Sequence, residues 1–198
     1  MINKRVAFLL TGNINSSRAI LSKKVLEKIG FHVVFIIYLP HEDNVLSNKL
    51  SMQYIYSLFN RLIHNYAYVF EDDINIKKNI TLDEIIKYER ISPMFFYLGI
   101  CEVNCSGVNK TNIKINNHDV YTKSGNVRGL HAIGLSKKGA VELLNFSKKS
   151  NEKYMDVILE QFSLLYPANV VRYDLSSYIQ GHKGIIFQDR VKFPSQIK

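Results

Sequence analysis

Short, nearly unbroken apolar runs alternate along the chain with stretches whose apolar residues recur every three or four positions. Residues 5–11 form the first run and end in Thr11-Gly12-Asn13, which predicts a buried strand and a turn. Ser16 or Ser17 is placed to cap a helix carrying Ala19, Ile20, Val25, Leu26 and Ile29 at helical spacing, and Gly30 is placed to stop it. Residues 32–39 are almost wholly apolar, the mark of a strand in a sheet covered on both faces. Strand, helix and strand at this spacing predict a βαβ opening.

The same reading continues down the chain. Residues 47–63 predict a helix with Leu50, Ile55, Leu58, Phe59 and Leu62 as its stripe. Residues 67–70 predict a buried strand. Thr81 and Glu84 have the spacing of a capping box for a short helix to Tyr88. Pro93 breaks the chain before a strand over 94–99. Residues 101–125 are polar, with β-like pieces at 113–115 and 120–122, and predict an extended excursion over the site. A strand over 127–135 follows, then a helix capped by Ser136. A second helix over 154–166 carries Met155, Ile158, Leu159, Phe162 and Leu165, and Pro167 ends it. A strand is expected over 169–173, and a tail then runs through 176–182 and the apolar 185–187 to a polar end. No repeat and no Pro- or Gly-rich linker interrupts the pattern. The expectation is one α/β domain over 1–198, a sandwich with a mixed, mostly parallel central sheet flanked by helices.

Composition changes this picture little. Of the 198 residues, 46% are hydrophobic and 22% charged, ordinary for a folded domain with a sizeable core. The formal net charge of +9 favours anionic partners such as phosphates and nucleotides. The lysines fall in scattered pairs rather than on one basic helix with interleaved aromatics, which argues against a nucleic-acid-binding module. Cys101 and Cys105 make neither a disulfide framework nor, without neighbouring histidines, a zinc site. Residues 6–10 are too short for a signal core, and no apolar stretch is long enough for a membrane span. A reduced, cytoplasmic setting is the expectation.

The candidate chemistry lies at Glu71-Asp72-Asp73. The strand over 67–70 delivers three acids in a row at its end. Adjacent carboxylates repel one another, and burying one without a partner is costly, so a positive charge belongs beside them. Hard oxygen ligands suit magnesium or manganese, and ligands gather at the carboxyl ends of strands in open α/β sheets. A solvated turn, with Asp72 or Asp73 as a cap, is the plain alternative. The turn after the first strand, with Thr11, Gly12 and Arg18, is a place to hold a nucleotide's base or phosphate, although the glycine-lysine-serine pattern of a P-loop is missing.

Several runs together resemble glycosyltransferase family 25, which holds lipopolysaccharide and collagen galactosyltransferases. They are Val69-Phe70-Glu71-Asp72-Asp73, Tyr97-Leu98-Gly99, His131-Ala132-Ile133-Gly134-Leu135-Ser136-Lys137-Lys138-Gly139-Ala140 and Met155-Asp156. Similar small enzymes occur in large DNA viruses, where the setting would be the host cytoplasm. The resemblance implies a Rossmann-like GT-A fold and an inverting, metal-dependent transfer of a hexose from a nucleotide sugar, UDP-linked by preference, to a hydroxyl of a glycan or glycoprotein. It implies Mn2+ or Mg2+ held by Asp73 and Asp72, with His182 from the C-terminal region as a further ligand. Glu71 would lie near the ribose, with Thr11, Gly12 and Arg18 around the nucleotide sugar. Asp156 would be the base, against the alternative of a first-turn acid that stabilises its helix through the dipole. His131 and Gln180 would meet the sugars, His131 also being readable as a satisfied core residue. The family often has tyrosine where this chain has Ile133. A nucleotidyltransferase, which also uses strand-end acids, is the enzymatic alternative.

Overall fold

A computed structural model of the chain describes residues 5–76, 79–102, 108–115, 117–123, 127–170, 182–189 and 191–194. The opening unit is β1 (Val6–Thr11), α1 (Ser17–Ile29) and β2 (His32–Ile37). Ser16 caps α1 by accepting the Ala19 N–H at 3.2 Å. Gly30 ends it at φ 117°, a left-handed turn in which the N–H of Phe31 returns to the carbonyl of Leu26. Next come α2 (Asn44–Arg61), β3 (Tyr66–Glu71), β4 (Ile74–Ile76) and α3 (Leu82–Glu89). The Glu84 carboxylate accepts the Thr81 N–H at 2.9 Å, as the capping-box spacing predicts. The rest comprises β5 (Phe95–Tyr97), β6 (Gly99–Glu102), β7 (Val108–Ile115), β8 (His118–Lys123), β9 (Val127–Arg128), β10 (Ala132–Ser136), α4 (Lys137–Lys149), α5 (Met155–Leu165), β11 (Asn169–Val170), β12 (His182–Gly184) and β13 (Ile186–Gln188).

Eight strands make one central sheet in the order β2-β1-β3-β10-β5-β11-β8-β7. Successive residues of each strand point to opposite faces, so each strand feeds two cores. Phe8 and Leu10, Val69, and Phe95 and Tyr97 join α2, α4 and α5 on one face. Ala7 and Leu9, Tyr68 and Phe70, and Phe96 join α1 and α3 on the other. The result is a three-layer α/β sandwich with the end of β3 near its middle. Among the described residues no helix is long and apolar enough to cross a membrane.

The expectation of a mostly parallel sheet needs correction. Three pairings are parallel (β1 with β2, β1 with β3, β5 with β11) and four are antiparallel (β10 with β3, β10 with β5, β8 with β11, β7 with β8). The cause is β10, which runs back between β3 and β5, and the β7–β8 hairpin at one edge. That hairpin occupies much of the stretch expected as an excursion over the site, and it extends the main sheet instead. Residues 127–135 are not one strand either. Gly129, at φ 142°, turns the chain between β9, which pairs with β6, and β10 in the central sheet. The second helix starts earlier than its apolar stripe, at Asn44, because Asp43 accepts the Val45 and Leu46 N–H groups at 2.8 and 3.3 Å. Ile20, Leu50 and Leu165 are exposed rather than on the buried stripes. Of the strand expected over 169–173, residues 169–170 form β11, and the remainder lies outside the described residues.

Candidate functional site

The parallel register that aligns Leu10 with Glu71 brings the ends of β1 and β3 side by side. Asp72 and Asp73 follow in the turn to β4, and both are buried. Thr11, the last residue of β1, donates its hydroxyl to Asp72 Oδ2 at 2.6 Å. Arg18, in the first turn of α1, sets Nε 2.8 Å from Asp72 Oδ1 and Nη2 3.4 Å from Asp73 Oδ2. One turn further, the Ser22 hydroxyl donates to the Asp72 carbonyl at 2.8 Å. The Asp189 N–H donates to the Asp73 carbonyl at 2.7 Å. Two neighbouring buried carboxylates demand a counter-charge, and the chain supplies it from its own first helix.

Glu71 differs from its two neighbours. It is half-buried and faces a cavity of about 160 Å³. Gln188 at the end of β13 donates to Glu71 Oε2 at 2.8 Å. Asn48 of α2, Arg128 of β9, Gly129 and Asp156 of α5 complete the parts of the wall that matter chemically. Two carboxylates and one guanidinium from distant parts of the chain therefore share one opening. Burial pushes the Asp156 carboxyl above its ordinary value of 3.8, while the bond from the Val157 N–H and the charge of Arg128 pull the other way. Arg128 is itself held by Glu160, with Nε 2.9 Å from Oε2. Burial, and then the charges of Glu71, Asp72 and Asp73, raise the Tyr38 phenol above its ordinary value of 10.0, so it stays protonated beside the acids.

The fit of a divalent ion to the strand-end acids can be tested on this arrangement. Asp72 Oδ2 accepts the Thr11 hydroxyl, and Oδ1 lies in ion-pair contact with the Arg18 Nε at 2.8 Å. Asp73 is engaged by the same guanidinium. Among the described residues, no three His, Cys, Asp or Glu side chains converge as a ligand set. A ligating oxygen must turn a lone pair to the ion, and here one oxygen faces a hydroxyl proton and two others face the guanidinium charge. As they stand, Asp72 and Asp73 do not fit a resident metal.

The sequence-predicted residues thus divide into groups. Thr11, Arg18, Asp72 and Asp73 form one buried network, Glu71 and Asp156 meet across the cavity, and Gly12 is exposed on the turn after β1. His131 is fully buried, with Nε2 3.3 Å from the Ile186 carbonyl, in the position of a core tie. The backbone of His182 pairs with Cys101 in β12, while its side chain and all of Gln180 lie outside the described residues. Sequence reasoning missed Arg128, Asn48, Tyr38 and Gln188. An arginine directly before a glycine that breaks an apolar run was a usable signal for Arg128. Gln188 carried none, because only the pairing of β13 with β4 brings it to Glu71.

Compared with models of known protein families, the chain matches none. Compared with curated proteins, it again finds no match.

Proposed function

We propose that the cavity between Glu71 and Asp156 is the reaction centre of a glycosyltransferase, one that moves a hexose from a nucleotide sugar to a hydroxyl of a glycan or glycoprotein. The observation that carries this reading is Asp156, a carboxylate with a burial-raised pKa set across a cavity from a strand-end acid. A base of this kind is what a single displacement at a sugar carbon requires. As the acceptor oxygen bonds to the anomeric carbon, its proton passes to the Asp156 carboxylate. The bond from that carbon to the diphosphate oxygen breaks, and its electron pair leaves on the diphosphate. Arg128 offers the departing anion a positive charge at the cavity wall. The net charge of +9 draws an anionic donor toward the protein. A cavity of about 160 Å³ lies below the roughly 300–1,000 Å³ common for whole ligands, so it suits the sugar end of a donor.

The runs that resemble glycosyltransferase family 25, and the α/β layering with acids at a central strand end, support a GT-A-type reading. The test is a panel of UDP- and GDP-sugars with the products followed by NMR. Slow release of free sugar and nucleoside diphosphate is expected, with transfer to an added acceptor falling by about a hundredfold or more in Asp156→Asn. Exchange of pyrophosphate into the nucleotide would instead mean nucleotidyl transfer and would sink the proposal.

A further inference from the structure

We infer that Arg18 is the resident cation of the Asp72–Asp73 pair, so that this site takes no divalent metal and its chemistry runs without one. The inference deepens the transfer reading, and only its functional half rests on it. The geometry is that of a closed triad. One guanidinium spans two consecutive carboxylates, with Nε on Asp72 at 2.8 Å and Nη2 on Asp73 at 3.4 Å. The side chain of Arg18 is 13% exposed and those of Asp72 and Asp73 are 5% and 3% exposed, so the interaction is little screened by water. A guanidinium presents its N–H groups in a fixed planar fork, which suits it to paired carboxylates.

A divalent ion entering here meets three obstacles. It must displace the guanidinium from Asp72 and Asp73, or sit beside it as a second cation in contact. It must turn the Thr11 hydroxyl, 2.6 Å away, off Asp72 Oδ2. The carbonyls of Asp72 and Asp73 are also engaged, accepting from Ser22 and from the Asp189 N–H. The Arg18 head has a further partner, with Nη1 donating to the Pro194 carbonyl at 3.4 Å. Arg18 is one helical turn from Ser22 on the same face of α1, so the helix places both the charge and the backbone clamp on one turn of chain.

The experiment is a Mn2+ titration of the full chain, read by the electron paramagnetic resonance signal of the free ion. Wild-type protein is expected to remove no more free ion than Asp73→Asn. Arg18→Met, checked for folding by circular dichroism, should take up Mn2+ about tenfold more tightly or better, as expected on removing a competing charge. Donor hydrolysis should proceed at the same rate in EDTA as in Mn2+. Wild-type uptake of Mn2+ that disappears in Asp73→Asn overturns the inference. So does a folded Arg18→Met that still takes up none, because Arg18 is then not what excludes the ion. If Arg18→Met does not fold, the wild-type titration decides alone. A protein that turns over no donor under either condition removes the transfer reading and leaves the titration to judge Arg18.

Discussion

The side-chain amide of Gln188 bonds Glu71 at 2.8 Å while standing 3.4 and 3.5 Å from the two oxygens of Asp73. One neutral donor thus lies between two acids at the end of β3, and it comes from β13, far along the chain. Its removal leaves partly buried carboxylates short of a donor. Gln188→Leu is expected to lower stability by about 1–3 kcal/mol. Gln188→Glu should cost more at neutral pH, since it sets a third negative charge against the first two, and should recover as the pH falls. Urea unfolding of both variants at neutral and acid pH checks this. Equal midpoints for wild type and Gln188→Leu would show that the amide contributes nothing.

Asp156 carries a pH prediction whose sign follows from its raised pKa. In the folded protein the carboxyl holds its proton to higher pH than in the unfolded chain. The resulting stabilisation is full below the unfolded value of about 3.8 and is lost as pH rises through the folded value. Above that value the half-buried carboxylate is a net cost. Asp156→Asn removes the cost, so its stability relative to wild type should rise with pH across this window and then level off. On the proposed reading, wild-type transfer should also rise with pH, as the Asp156 carboxyl loses its proton. A stability difference that is flat with pH would mean the carboxyl is not perturbed.

Much of this architecture could be read from periodicity, and the reasons for the failures are specific. β1, β3, α1 and the Ser136-capped helix were legible because the chemistry that starts and stops them is local: Ser16, Gly30 and Ser136 lie within a turn of what they control. The direction of β10 was not legible. An apolar run looks alike whichever way it enters a sheet, and its antiparallel course depends on partners far along the chain. The acidic triplet was legible as chemistry but not as three different environments. Glu71 ends the strand half-buried at the cavity, whereas Asp72 and Asp73 fold inward to meet Arg18. The cation the structure shows beside the acids, Arg18, was not read as their partner because it lies 54 residues upstream of Asp72. The Ser-x-x-Gly piece of the run over 131–140 has a structural meaning. Ser136 accepts the Gly139 N–H at 3.0 Å and donates to the Pro93 carbonyl at 2.7 Å, locking α4 to the segment before β5.

Gly139 itself supplies the next prediction. A Cβ added there would lie 2.1 Å from the Met94 carbonyl oxygen and 2.8 Å from its carbon. These are backbone atoms in a chain segment already bonded by Ser136, so they cannot rotate aside. Alanine would favour the helix by about 1 kcal/mol through propensity alone. Overpacking against fixed backbone costs about 1–3 kcal/mol and should outweigh it. Gly139→Ala is expected to be less stable than wild type by thermal unfolding. A stabilised variant would mean that α4 can move away from Met94 freely.

The last prediction concerns the joint between β1, β3 and α3. Arg5 grips Glu89 through two bonds, Nε to Oε1 at 2.9 Å and Nη2 to Oε2 at 2.8 Å. The Tyr68 hydroxyl donates to the same carboxylate at 2.7 Å. The Glu89 side chain is 10% exposed and that of Arg5 is 22% exposed, so the pair is only lightly screened. A bidentate charged pair with a third donor is stronger than a typical surface ion pair. Glu89→Gln keeps the shape, removes the charge and puts an amide donor against the Arg5 fork. It should cost about 1.5–3 kcal/mol, the range for hydrogen bonds to charged groups. Tyr68→Phe should cost less, and the two losses should not add, because both act on one carboxylate. A double-mutant cycle in urea measures the coupling. Strictly additive losses would show that Tyr68 and Arg5 hold Glu89 independently.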